Sequence, residues 1–485
     1  MLDSSKLEVV RFYPTDVEWG YDYDREAAVT TAPVRRLQQK TQVYPLDIKA
    51  SARSRLTHSL EVQCRVRSVV MALSERLDFY GEHLFDILSV CETAALIHDV
   101  GNPPFGHFGE RVISCFMERN LDQIYASSLG PSHVPSAQWT SLLAPDLRHF
   151  DGNAQNLRIL HSIQKLNLSA QVLGSCIKVP YLAGEDVPEE ADDDDEEEEL
   201  WTGTGGTGLP AGSFRGGKSP FGCFYSESML FQFIREALEM EEGERFELSH
   251  ILEYADNISY ALADIEDSWE RGLVSLVDLQ RDLIPYCGEA AESLARELIS
   301  QCREEGCSFT ELVRTRCLPR AIDSFAAFFA SYFDAESSEA GYDQEDYLSF
   351  VSRDQENRLL QAMAVYAREK IFRKREIESL ELTGHSALHG LLKIYGRLLA
   401  LPRRDFEILL AGGELADPVL SRLVHRISRR VMETYVESVA DSDLIFADKD
   451  ERELYFRIRL IIDYITGMTD TYIQAEFSNL RGFTY

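Results

Sequence analysis

Leu84-Phe85-Asp86-Ile87-Leu88-Ser89-Val90-Cys91-Glu92-Thr93-Ala94-Ala95-Leu96-Ile97-His98-Asp99-Val100-Gly101-Asn102-Pro103-Pro104 is the stretch on which the reading of this chain turns. Leu84, Ile87, Leu88, Cys91, Ala94 and Ala95 recur at three- and four-residue spacing, which predicts an amphipathic helix. His98 continues that stripe, so its ring faces inward at the helix end. Glycine and proline then break the pattern over Gly101 to Gly106, which predicts a loop beside an inward imidazole. A second stripe, His58, Val62, Val66, Val69 and Leu73, carries another histidine on its apolar face. A third runs Leu248, Ile251, Leu252, Ala255 and continues as Asp256, Tyr260 and Asp264 at four-residue steps, which sets three polar groups along one helix face. Alternating β-type stretches are rare, and the expected class is all-α.

The 485 residues leave room for about three domains or one large helical unit. With 45% hydrophobic and 10% aromatic residues, a sizeable core is expected. The formal charge of −32, from 49 basic and 81 acidic residues, excludes a surface built mainly to hold duplex nucleic acid by phosphate neutralisation. An anionic substrate then requires a locally positive pocket or bound cations. Nine cysteines, scattered from Cys64 to Cys317 without a Cys-x-x-Cys pair, fit reduced core thiols rather than a disulfide frame. No signal-like N-terminus is seen, and the most apolar window, Phe325 to Phe333, is too short for a bilayer, so a soluble cytoplasmic protein without membrane contact is expected. Residues 1–32 read as an N-terminal segment and 33–270 as the catalytic core. Within that core, 184–217 is an acidic and glycine-rich stretch expected to be a mobile insertion. Residues 271–485 read as a helical C-terminal region.

His98-Asp99 alone is a weak signal, but the inward His58 and Asp256 add to it. Two imidazoles and two carboxylates converging on a core need a compensating charge. A divalent cation supplies one, since imidazole with carboxylate suits Mn, Fe, Co, Ni, Zn or Mg.

The order His58, His98-Asp99, Asp256 resembles the H…HD…D signature of the HD superfamily of helical metal-dependent phosphohydrolases. Further strings resemble one branch of it, the deoxyguanosine triphosphate triphosphohydrolases. They are Arg35 to Val43, Arg55-Leu56-Thr57-His58, His98 to Glu110, His149-Phe150-Asp151-Gly152-Asn153-Ala154-Gln155, Tyr254 to Tyr260, and Asp463 to Asp470. The insertion and the stretch Lys218 to Tyr225 depart from the family's pattern. The resemblance implies an HD-domain helical fold with large helical insertions. It also implies water attack at the α-phosphorus of dGTP, releasing deoxyguanosine and inorganic tripolyphosphate.

It further implies Mg, Mn or Co held by His58, His98, Asp99 and Asp256, and His107 as the general acid or base, oriented by Glu110. Arg55, Asn102, His149 and Asn153 are implied near the α-phosphate, and Tyr260 at the phosphate or sugar. Asp264 is implied at the 3′-hydroxyl, Gln42 and Val43 at the sugar and base end, and Glu381 at the guanine edge. Among late basic residues, Arg422 and Arg459 are candidates for the triphosphate tail, set against the many arginines that helices of this size carry for solvation. The implied partners are copies of the same chain, as a hexamer, and single-stranded DNA as an effector. A broader dNTP triphosphohydrolase, an HD phosphatase acting on monophosphates and a nucleotide-sensing HD protein are the alternatives.

Overall fold

The computed structural model describes residues 2–16, 20–46, 52–183, 185, 221–333 and 344–481. The insertion expected over 184–217 lies outside the described residues except for Glu185, and so does Lys218. Among the described residues the chain is helical, with three isolated β-bridges and no sheet, which is the all-α class expected.

Ten helices position the site: α1 (Arg55–Ser74), α2 (Leu84–Ile97), α3 (Gly106–Leu129), α4 (Gly152–Arg158), α5 (Ala170–Ser175), α6 (Glu247–Glu270), α7 (Gln355–Tyr366), α8 (Arg375–Leu399), α9 (Lys449–Thr466) and α10 (Asp470–Leu480). The first, α1, begins with a capping box in which Thr57 N–H donates to Ser54 Oγ at 3.3 Å and Ser54 N–H donates to Thr57 Oγ1 at 2.9 Å. At the centre lies α2, whose residues from Ile87 to Ile97 are all buried except Ser89. A helix apolar on nearly every side must be covered on every side, and α1, α5 and α6 cover this one. Its single buried charge, Glu92, accepts from Arg67 at 2.7 Å and from Arg25 at 3.2 Å.

After His98 the chain leaves the helix because Pro103 and Pro104 cannot continue it. The loop is seated by glycine. A Cβ on Gly101 would stand 1.9 Å from the Gly152 carbonyl oxygen and 2.3 Å from Asn156 N, both backbone atoms of the α4 segment. Gly101→Ala is therefore expected to cost about 2 kcal/mol or more and to depress turnover, checked by melting temperature and rate on the same sample.

The late string Asp463 to Asp470 clamps this loop from the far end of the chain. Asp470 accepts Phe105 N–H at 3.1 Å on one oxygen, and Thr41 N–H at 2.9 Å and Thr41 hydroxyl at 2.7 Å on the other. Lys40, fully buried, donates to the carbonyls of Asn102 and Thr466; burial, with Arg36 nearby, lowers it to about 7. Asp463 accepts Arg158 Nε at 2.9 Å and Nη2 at 2.7 Å, and Gln155 Nε2 at 2.9 Å. One apolar core runs from Leu2 to Leu480 and crosses the boundaries expected at 32/33 and 270/271. All nine cysteines are free. No helix among the described residues is long and apolar enough to cross a membrane.

Candidate active site

Three helices bring the first group of side chains together. His58 comes from the first turn of α1, His98 from the end of α2 and Asp256 from the middle of α6; all three are buried. His58 Nε2 lies 2.9 Å from Asp256 Oδ1, and His98 Nε2 lies 3.5 Å from the same oxygen. His98 Nδ1 is 2.7 Å from the carbonyl of Ala95. A carbonyl only accepts, so Nδ1 carries the proton, and Nε2 keeps its lone pair toward the other ligands. That Nε2 has no hydrogen-bond partner although it is buried.

Among the described residues, one ligand atom from each of His58, His98 and Asp256 falls within 4.8 Å of the others, a spacing that a single divalent ion can bridge. Asp99 adjoins this group, with Oδ1 3.5 Å from His98 Nε2. Its other oxygen accepts Arg55 Nη1 at 2.8 Å, and Asn102 Nδ2 donates to Oδ1. Burial opposes ionisation of Asp99, but the Arg55 guanidinium together with His98 and His58 outweighs it and holds the carboxyl at about 2.

Lys178, just beyond α5, donates to Asp256 Oδ2 at 2.8 Å and was not singled out from the sequence. Burial likewise opposes ionisation of Asp256, but Lys178 and then His98 hold its carboxyl well below the ordinary range. The two aspartates thus already face two protein cations, and charge balance alone does not demand a metal. The donor set does fit one, through two imidazole nitrogens and carboxylate oxygens around an unpartnered His98 Nε2.

The second group is His107 with Glu110, at the start of α3. Nδ1–H of His107 donates to Glu110 Oε2 at 2.9 Å, and the ring is 46% exposed. Glu110 Oε1 accepts Gly152 N–H at 3.1 Å, which ties the pair to α4. Gly106 has φ of +55°, and a Cβ there would stand 2.4 Å from Arg55 Nη2. Glycine therefore lets the His107 turn close over the guanidinium that holds Asp99.

A third group extends along α6. The Tyr260 ring lies against His58, with centroids 4.3 Å apart, and Gln42 approaches its hydroxyl. One turn on, Asp264 is buried, and its Oδ1 has no partner. Burial, and then Asp267, hold its carboxyl well above the ordinary range. Val43 is buried, while neighbouring Tyr44 bonds Ser268 at 2.7 Å and lies under Arg271. Unpartnered buried polar atoms at His98 and Asp264 mark the two ends of this strip.

Other expected residues stand apart from it. Asn153 and His149 flank the Asp151 turn; His149 is exposed, edge-on to Phe221 at 6.4 Å. Glu381 is half-buried on α8, which packs on α3, and feels Arg111. Arg422 is 64% exposed and bonds the Pro418 carbonyl at 2.8 Å and Glu414 at 3.3 Å, so this chain does not bring it to the other site residues. The placement of Arg459 at the triphosphate tail is corrected: it is buried in an ion pair with Asp146 at 2.7 Å, its guanidinium 3.6 Å over Phe224.

No protein-family model matches the chain. Full-length relatives do. It is 33% identical over 497 residues to a probable deoxyguanosinetriphosphate triphosphohydrolase of Pseudomonas aeruginosa, covering 96% of this chain and 93% of that one. It is 32% identical over 513 residues to a deoxyguanosinetriphosphate triphosphohydrolase of Serratia proteamaculans, with 96% and 94% covered. A Yersinia pestis protein of the same name is 33% identical over 500 residues, with 95% and 93% covered. Identity at this level along nearly the whole of each chain, with the buried histidine and aspartate cluster in place, shows that the chain belongs to the deoxyguanosinetriphosphate triphosphohydrolase family of enzymes.

Proposed function

We propose that this chain hydrolyses dGTP to deoxyguanosine and inorganic tripolyphosphate, by water attack at the α-phosphorus in a divalent-cation-dependent reaction. The observation that carries the reading is the buried, unpartnered His98 Nε2 facing His58 and Asp256, with the His107–Glu110 pair on the adjoining helix. His58, His98, Asp99 and Asp256 would hold Mg, Mn or Co. When bound, the cation supplies Lewis-acid polarisation of the phosphoryl group and of the attacking water.

The chain's own groups do the rest. His107, with Nδ1 engaged by Glu110, presents Nε2 for proton transfer at the scissile bond. Arg55 and Lys178 sit where they can offset the charge that develops on the phosphate, and Asn102, His149 and Asn153 supply further donors. Tyr260 contacts phosphate or sugar. Asp264 takes the 3′-hydroxyl on its free oxygen, beside Gln42 and Val43. Glu381 accepts from the guanine N1 and N2 hydrogens, and adenine leaves that carboxylate unpaired. Broader dNTP hydrolysis is the second reading, favoured by Arg111, whose charge competes for Glu381.

Turnover of each of the four dNTPs with Mg, Mn or Co, with products separated by chromatography, tests both readings. The expected result is fastest release of deoxyguanosine and tripolyphosphate from dGTP. Equal rates on all four would select the broader enzyme. Pyrophosphate with dGMP, or free phosphate, would overturn cleavage of the bond between the α-phosphorus and the 5′-oxygen.

A further inference from the structure

Two carboxylates divide the first turn of α4 between them. Gly152 N–H goes to Glu110 Oε1 at 3.1 Å, while the N–H groups of Asn153 and Ala154 go to Asp151 Oδ1 at 2.7 and 3.0 Å. The other oxygen of Glu110 accepts His107 Nδ1–H at 2.9 Å. One helical turn thus links Asp151 to the imidazole through Glu110.

Capping requires an oxygen acceptor at 151, which aspartate supplies, but it does not require the charge. A serine, threonine or asparagine accepts the same amides without a charge. The charge here is unfavourable to its owner: burial, and then the neighbouring Glu110, push Asp151 up to about 6. The groups that face this pair are known. His107 acts on Asp151 from α3, and Arg55 acts on Glu110 from α1 while it holds Asp99. Of these two groups only the His107 imidazole has a ring proton it can hand on, since a guanidinium stays protonated.

We propose that Asp151 is a positioning residue for the His107–Glu110 pair: it fixes the turn that holds Glu110, and its negative charge favours the protonated ring of His107. The protonated ring is the form that can hand a proton to a departing 5′-oxygen. The inference rests on the reading of His107 as the acid–base group, and it is tested without assuming a substrate.

Asp151→Ser keeps an oxygen acceptor for the cap and removes the charge. Diethyl pyrocarbonate modifies only neutral imidazole, so the yield of modified His107 peptide against pH, read by mass spectrometry on the metal-loaded enzyme without nucleotide, follows the protonation of that ring. The midpoint in Asp151→Ser is expected to fall by roughly half a pH unit with the melting temperature unchanged, and Asp151→Glu is expected to restore it. The alkaline limb of kcat/KM for dGTP, where a proton donor is lost, is expected to move by the same amount. An unchanged midpoint in a folded Asp151→Ser protein would make Asp151 a helix cap and nothing more. Should Asp151→Ser lose its fold, the same midpoint in Asp151→Asn decides. Absence of dGTP turnover in the unmutated enzyme would defeat the proposed function, yet leave the modification curve to decide this inference.

Discussion

His98→Ala is expected to fold, to lose its bound divalent metal and to lose turnover by more than about a thousandfold. It is the cleanest of the ligand substitutions because the His98 ring has one hydrogen bond to the protein, from Nδ1 to the Ala95 carbonyl at the end of α2. Asp256→Ala removes the partner of the half-buried Lys178, and Asp99→Ala removes the partner of the buried Arg55, so each leaves a cation uncompensated. Losses of about 3–5 kcal/mol are expected in those two, and their inactivity would mix metal loss with unfolding. Elemental analysis, melting temperature and turnover on one preparation separate the effects. Full activity of His98→Ala without bound divalent metal would sink the metal reading of the site.

His107→Ala is expected to do the opposite with the metal. The ring is 46% exposed and bonds Glu110, so its loss leaves fold and metal content in place. Removing a positioned acid or base slows the chemical step by on the order of a hundredfold or more. Glu110→Ala is expected to give a related, smaller defect, because an unanchored imidazole still transfers protons; it also frees Gly152 N–H at the start of α4. In the double variant the penalties should fall well short of their sum, since one residue acts through the other. Single-turnover rates with metal content on the same samples check this. Additive penalties, or metal loss in His107→Ala, would assign the ring a different role.

What could be read from the sequence was what repeats. The inward faces of His58, His98 and Asp256 follow from stripes of period 3.6, and the three meet as those stripes require. Asp264 and Tyr260 came from the same rule. Lys178 escaped because it lies past the short helix α5, where no period reaches it, although a lysine closing the apolar run from Val172 to Ile177 is itself a signal. The Asp463 to Asp470 string was noticed by resemblance alone. Its purpose, to hold Phe105, Thr41 and the Lys40 carbonyl cage, depends on contacts between distant parts of the chain that leave no periodic trace. Arg459 shows the converse limit: type and position alone leave an arginine open to either the triphosphate tail or solvent, whereas the fold pairs it with Asp146 inside the core.

The clamp that Asp470 places on Phe105 spans 365 residues of chain. During synthesis every expected metal ligand has been made once Asp256 is added, but the turn carrying His107 lacks its Asp470 anchor until the last helices follow. At ribosomal speed that interval is on the order of tens of seconds. The order of synthesis therefore puts His58, His98 and Asp256 on the chain well before the last support of the His107 turn, so the two halves of the site are completed at different times.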